Sequence, residues 1–172
     1  MLKNVSKTTL DGVRLVELDG FEDHRGVYVE TYNAKNYQAA GIDVEFVQDD
    51  YSMSRKDVLR GLHGDGHTWK LVSCPLGAYY LVVVDCREGH DSFGKWESFT
   101  ISAANRKQVL IPPGFGNGHL ILTDLAIFQY KQSAYYEPRS QFSYAWNDPR
   151  LNIWWPIRNP VLSRRDEVGA YV

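Results

Sequence analysis

Several short stretches of the 172-residue chain carry side chains suited to moving protons or gripping an anion. The first is Arg60-Gly61-Leu62-His63, followed by His67 and Lys70. A histidine close to an arginine and a lysine, beside a glycine that permits close backbone approach, reads as a polar site or as a surface turn with solvated charges. The second stretch runs from Ile111 to His119 and includes Pro112, Pro113, Gly114, Gly116, Asn117 and Gly118. It reads as an irregular corner, the place where a barrel also opens its pocket. The third holds Tyr130, Lys131, Tyr135 and Tyr136. An aromatic stripe of this kind is most often core. In the fourth, Leu162-Ser163-Arg164-Arg165-Asp166, the pair Ser163 and Asp166 matches a loose capping box, which would make Asp166 a helix-start residue without chemistry.

Metal binding is disfavoured by the histidine spacing. His63 and His67 are four apart, with no His-x-His pair and no glutamate just after His67. In an extended segment such histidines need not converge.

The elements that must position these residues are strands. The expected runs are Val27–Tyr32, Val44–Gln48, Trp69–Cys74, Ala78–Cys86, Trp96–Ile101, Lys107–Ile111, His119–Thr123, Ala126–Gln132 and Gln141–Trp146. Their length and the turn residues between them predict an all-β sandwich or barrel. A short helix is expected over Ala34–Ala40, capped by Asn33 and ended by Gly41, and another turn of helix from Ser163. If 126–132 is a strand, Ala126, Phe128, Tyr130 and Gln132 share one face, which places the Tyr130 hydroxyl inside; Asn117 and His119 share parity in the same way.

Composition narrows the function classes. The length suits one domain spanning 1–172. The net charge of -2, without blocks of like charge, gives no footprint for nucleic acid. No apolar run is long enough for a membrane helix, and the first residues lack the core of a signal peptide. Cys74 and Cys86 lie in apolar runs and read as two buried thiols. The expected compartment is the cytoplasm.

Taken in order along the chain, a set of segments resembles the dTDP-4-dehydrorhamnose 3,5-epimerase family, the RmlC-like cupins. They include Phe21-Glu22-Asp23-His24-Arg25-Gly26, Gln48–Ser54, Arg60–His63, Lys70-Leu71-Val72, Phe93–Trp96, Pro112–Phe115, Tyr130-Lys131, Tyr135-Tyr136, Trp146–Pro149 and Leu162–Asp166. The resemblance implies a double-stranded β-helix, the cupin jelly-roll barrel. It implies an epimerase of nucleotide-linked 4-keto sugars that needs neither metal nor organic cofactor. His63 would be the general base, Asp166 its orienting partner, Tyr130 the acid on the opposite face of the sugar, and Lys70 the cation at the C4 oxygen. Arg60 would hold the diphosphate. Gln48 and Asp50 fall at substrate-binding positions, and Tyr136 at one near the nucleotide. Phe21 and Arg25 lie in the segment 21–30 that would reach into a neighbouring subunit's site, which implies a homodimer.

Two positions depart from the family pattern. Asn117 stands where the family usually has histidine, with His119 two residues on, and Asp50 stands where it prefers asparagine; Asn117 and His119 are expected among the substrate-binding residues. An added carboxylate would disfavour a nearby diphosphate, so Asp50 is expected at a sugar hydroxyl. His63-Gly64-Asp65 with Gly116-Asn117-x-His119 is similar to a branch acting on GDP-linked 4-keto heptoses or hexoses. The nucleotide, the carbon count, and inversion at C3 alone or at C3 and C5 stay open.

The implied chemistry suits these residues. A hydrogen next to a ketone is acidic because the carbanion delocalises onto oxygen. Its removal needs a base that is neutral near pH 7, which imidazole is. A buried carboxylate fixes the imidazole tautomer. A cation holds the enolate, and a tyrosine returns the proton, helped if a neighbouring cation lowers its pKa. The alternatives are a metal-dependent cupin, such as a sugar isomerase or dioxygenase, and a non-catalytic sugar-nucleotide-binding jelly roll.

Overall fold

The stretch Ala78–Asp85 is apolar at almost every position, a pattern for a strand covered on both faces. The computed structural model, which describes residues 1–172, places it at the centre of the molecule. The strands are β1 (Leu2–Lys7), β2 (Arg14–Leu18), β3 (Phe21–Asp23), β4 (Gly26–Tyr28), β5 (Gln48–Arg55), β6 (Leu59–Gly64), β7 (Lys70–Leu76), β8 (Ala78–Asp85), β9 (Trp96–Ser102), β10 (Lys107–Ile111), β11 (Phe115–Ile121), β12 (Leu125–Gln132) and β13 (Phe142–Ser143). Two short helices, α1 (Ala34–Ala39) and α2 (Arg164–Glu167), complete the set. One sheet has six strands in the order β1-β2-β10-β7-β12-β5, another has five in the order β13-β6-β11-β8-β9, and β3-β4 form a separate hairpin. This is the jelly-roll architecture expected from the sequence.

Alternation along each strand assigns side chains to layers. Tyr79, Leu81 and Val83 of β8 meet Val72 of β7, Val109 and Ile111 of β10 and Phe128 of β12 in the core between the sheets. Their neighbours Tyr80, Val82 and Val84 face the other way, against Leu59, Leu62, Leu151 and Trp155. On the outside of the six-stranded sheet, Tyr37 of α1 and Ile42 cover Val16, Leu71 and Leu110. Burying each such side chain contributes about 1.5–3 kcal/mol, so the three layers fix which face of every strand looks inward. Cys74 and Cys86 are buried and unpaired, and no helix is long and apolar enough to cross a membrane.

Some boundaries move from their expected places. The run Val44–Gln48 is not a strand; β5 begins at Gln48 and continues to Arg55, where charged and polar residues alternate with exposed ones on a sheet edge. Val27–Tyr32 shrinks to the three-residue β4, and Gln141–Trp146 to the two-residue β13. The strand β11 starts at Phe115 rather than His119. Gly116 and Gly118 sit inside this strand because β6 and its side chains pass close over them. A Cβ on Gly118 would lie 3.1 Å from Leu62 Cδ2 and 3.2 Å from Arg60 O. The corner itself is confined to Pro113-Gly114, where Gly114 takes φ 80, while Gly116 and Gly118 beyond it mark close packing inside the strand.

Candidate active site

A cavity of about 480 Å³ opens between the two sheets. From the six-stranded sheet come Gln48, Asp50 and Ser52 of β5, Phe128, Tyr130 and Gln132 of β12, and Lys70 of β7. From the five-stranded sheet come Arg60 and His63 of β6 and Asn117 and His119 of β11. Register makes these sets coherent: Tyr130 pairs with Asp50 and Gln132 with Gln48 and Lys70, while Asn117 pairs with His63 and His119 with Arg60.

The pairing of Arg60 and His63 with the same face needs explanation, because residues three apart on a regular strand point to opposite sides. The register between β6 and β11 shifts between Asn117 and His119. Two residues of β11 thus span three of β6, a bulge that brings both Arg60 and His63 inward. Gly61 occupies the irregular point at φ 128, where an added Cβ would meet Gly118 Cα at 2.4 Å. Only glycine allows this approach.

His63 and Asp166 form the pair that the resemblance implied. Nε2 of His63 lies 2.8 Å from Oδ1 of Asp166. The ring nitrogen is not aligned well enough to make a full hydrogen bond. Asp166 is fixed from two other sides. The Ser163 hydroxyl donates to Oδ2 at 2.6 Å, and the Gly61 N–H donates to Oδ1 at 3.1 Å. Burial raises the pKa of Asp166, but the contacts with His63, Ser163 and Gly61 together outweigh it and hold the carboxyl down at about 2. The Asp166 N–H also donates to Ser163 Oγ at the start of α2. The capping reading was therefore right about the helix, and the same side chain still reaches His63.

Tyr130 lines the opposite wall of the same cavity. Burial, then the Asp50 carboxylate and Tyr136, push its pKa up to about 12, with Arg60 pulling weakly the other way. The neighbouring cation Arg60 therefore does not bring the phenol below its ordinary pKa. Lys70 is 8% exposed. Burial lowers its pKa, the nearby Asp65 carboxylate draws it back up, and Arg165 opposes that.

Asp50 is held as an anchored acceptor, with the Gln48 and Gln132 amides donating to Oδ2 at 2.6 and 2.7 Å. Gln48 Oε1 in turn accepts the Tyr136 N–H at the rim. Arg60 donates through Nε and a terminal nitrogen to Ser54 Oγ at 3.1 and 3.0 Å. His67 stays half outside, 3.5 Å from Asp65, and does not line the cavity. No three His, Cys, Asp or Glu side chains converge where an ion could be held. Phe21 and Arg25 lie on the β3–β4 hairpin in a separate surface hollow with Asp23, Val27 and Tyr28, away from this chain's own cavity. Ser163, Gln132, Gln141 and Arg165 also line the cavity. The sequence reading did not assign them to the site. For Gln132 the strand parity that placed Tyr130 inward was sufficient signal.

A family model described as dTDP-4-dehydrorhamnose 3,5-epimerase matches residues 7–172. The enzyme of that name from Escherichia coli (strain K12) is 44% identical over 169 residues, covering 95% of this chain and 91% of that enzyme. A Legionella pneumophila Philadelphia 1 structure, dTDP-6-deoxy-D-glucose-3,5-epimerase RmlC in complex with dTDP-4-keto-L-rhamnose, superposes with a TM-score of 0.92 at 40% identity, covering 98% of this chain and 92% of that one. The Bacillus anthracis str. Ames dTDP-4-dehydrorhamnose 3,5-epimerase, with TDP and PPi bound, gives a TM-score of 0.95 at 35% identity, with 100% of each chain covered. The fold and cavity therefore define an RmlC-like jelly-roll epimerase, an isomerase acting on carbohydrates. Within that class the chain belongs to the dTDP-4-dehydrorhamnose 3,5-epimerase family.

Proposed function

We propose that the chain epimerises a dTDP-linked 4-keto sugar, with His63 as base and Tyr130 as acid. The observation that carries this reading is the placement of the His63–Asp166 pair and the Tyr130 hydroxyl on opposite sheets across one cavity. A sugar ring between them meets a base on one face and an acid on the other. His63 takes the hydrogen from the carbon next to the ketone, and the C–H electron pair moves onto the C4 oxygen. Lys70 holds that oxyanion. Tyr130 then delivers its proton to the same carbon from the other side, which inverts the centre. The phenolate and imidazolium left behind exchange protons with solvent to restore the starting state.

Arg60, Gln48, Asp50 and Tyr136 hold the rest of the substrate in this reading. Asp50 is suited to a hydroxyl, since a fixed carboxylate repels a phosphate. The active form is a homodimer in the cytoplasm. Phe21 and Tyr28 are 64% and 71% exposed on a hairpin that lines no part of this chain's main cavity, which fits insertion into a second copy. The unpaired buried thiols fit a reducing compartment.

The test is incubation with dTDP-4-keto-6-deoxyglucose in deuterated water, with the GDP-linked sugar as a second arm. Mass spectrometry counts the deuterons gained, and proton NMR locates them at C3 or at C3 and C5. Incorporation with neither nucleotide would remove the epimerase reading, and incorporation with GDP alone would correct the nucleotide.

A further inference from the structure

Three buried polar atoms on the cavity wall make no hydrogen bond within the protein: Nε2 of His63, Oδ1 of Asn117 and Nε2 of His119. The first faces the Asp166 carboxylate at 2.8 Å, which leaves Oδ1 of Asn117 and Nε2 of His119 with no protein group opposite them. Their residues are 8% and 4% exposed, and both line the cavity from the inward face of β11. Buried polar groups without a partner are rare and costly, so two at one place point to a group that arrives with the ligand. Tyr79 also has an unpaired hydroxyl, but it lies in the apolar core and does not line the cavity.

The two side chains are built to stay in place. The His119 ring stacks on Phe128 at 4.0 Å and 0°, and Tyr79 packs against it at 5.5 Å. Asn117 sits opposite His63 and His119 opposite Arg60 across the β6–β11 pair, so both lie beside the proposed base and the proposed diphosphate contact. Burial, with Arg60 and His63 nearby, keeps the imidazole neutral. A neutral imidazole and a carboxamide offer donors and acceptors but no charge. That combination suits a group that both donates and accepts, as a hydroxyl does, and it does not suit a methyl group.

We infer that Asn117 and His119 form a recognition subsite for one sugar hydroxyl, and that this subsite sets which nucleotide sugars the cavity accepts. The inference rests on the nucleotide-sugar reading above and adds a specificity that reading does not contain. A site that hydrogen-bonds a substrate hydroxyl discriminates strongly against the analogue lacking it, because its own polar groups are then left unpaired.

The test uses unreactive 4-hydroxyl sugars, so that binding is separated from turnover. Calorimetry would measure dTDP-glucose and its 2-deoxy, 3-deoxy and 6-deoxy analogues against the wild-type chain, Asn117→Leu and His119→Phe. One deletion is expected to weaken wild-type binding at least about tenfold, and to change binding to each variant by less than about threefold. Binding of dTDP alone checks that the variants are folded and keep the nucleotide site. If all three deletions fall within threefold of dTDP-glucose in the wild type, the subsite is overturned whatever the variants do. A penalty that persists in both variants also overturns it, by assigning the hydroxyl to other residues. Failure of all four sugars while dTDP binds overturns the subsite alone; failure of dTDP as well overturns the nucleotide assignment and the subsite with it.

Discussion

Ser163 donates its hydroxyl to Oδ2 of Asp166 at 2.6 Å, while the other oxygen of that carboxylate lies 2.8 Å from Nε2 of His63. One residue therefore starts α2 and fixes the carboxylate that faces His63. Ser163→Ala should lower stability by about 1 kcal/mol through the lost cap. It should also reduce kcat by roughly tenfold or more through a loosened carboxylate. Ser163→Thr keeps a hydroxyl and should recover most of both. Thermal unfolding and steady-state kinetics on the two variants check this; equal kcat in Ser163→Ala and wild type would free the hydroxyl from any positioning role.

Replacing the proposed base and the proposed acid should give different defects. His63→Asn should reduce solvent deuterium incorporation at C3 by about 10²–10⁴-fold. Tyr130→Phe should leave incorporation detectable, because removal of the proton precedes the step that needs the phenol, and should slow inversion. Incorporation at the wild-type rate in His63→Asn would show that another group takes the proton.

Lys70→Met should lower kcat by about 10²–10³ while KM changes little, since the ammonium acts most strongly on charge that develops at the C4 oxygen. The methionine keeps the buried stem and removes only the cation. An effect confined to KM would place Lys70 among the binding groups.

The buried His119 makes the fold sensitive to acid. Burial, with Arg60 and His63 nearby, lowers its pKa from 6.5 to about 3. The native imidazole stays neutral where an unfolded one takes up a proton. Its contribution is thus fully present above pH 6.5 and is lost as pH falls toward 3. The loss is on the order of 4 kcal/mol across that window. His119→Phe should flatten the decline of the melting temperature between pH 6.5 and 4. Parallel pH profiles for variant and wild type would show that other groups govern the acid transition.

Gly61→Ala should destabilise the protein by well over 1 kcal/mol. The new Cβ would meet Gly118 Cα at 2.4 Å and Asn117 O at 2.7 Å, and both contacts are backbone. Any folded fraction should show weakened activity, because relief of the clash moves His63. Wild-type stability in this variant would contradict the close approach of β6 and β11.

Much of the fold was legible because its signals are local. Alternation along Ala126–Gln132 placed Phe128 and Tyr130 on one inward face, and the structure keeps them there. Asn33 capping Ala34–Ala39 was readable from side-chain chemistry alone. The edge strand β5 was not, because its exposed positions carry no hydrophobic period, and its pairing with β12 is what makes it a strand. The chain order of motifs also identified the family.

By itself, then, the sequence determined the strand-rich class, the inward face of β12 and the residue types available for proton transfer, since each depends on neighbours along the chain. Tertiary structure alone decided that Asp166, in the first turn of the helix capped by Ser163, also reaches His63, that a bulge at Gly61 turns Arg60 and His63 to one side, and that Asn117 Oδ1 and His119 Nε2 are buried without partners. Those facts depend on contacts between strands and helices distant in sequence, where packing rather than local preference sets direction and distance.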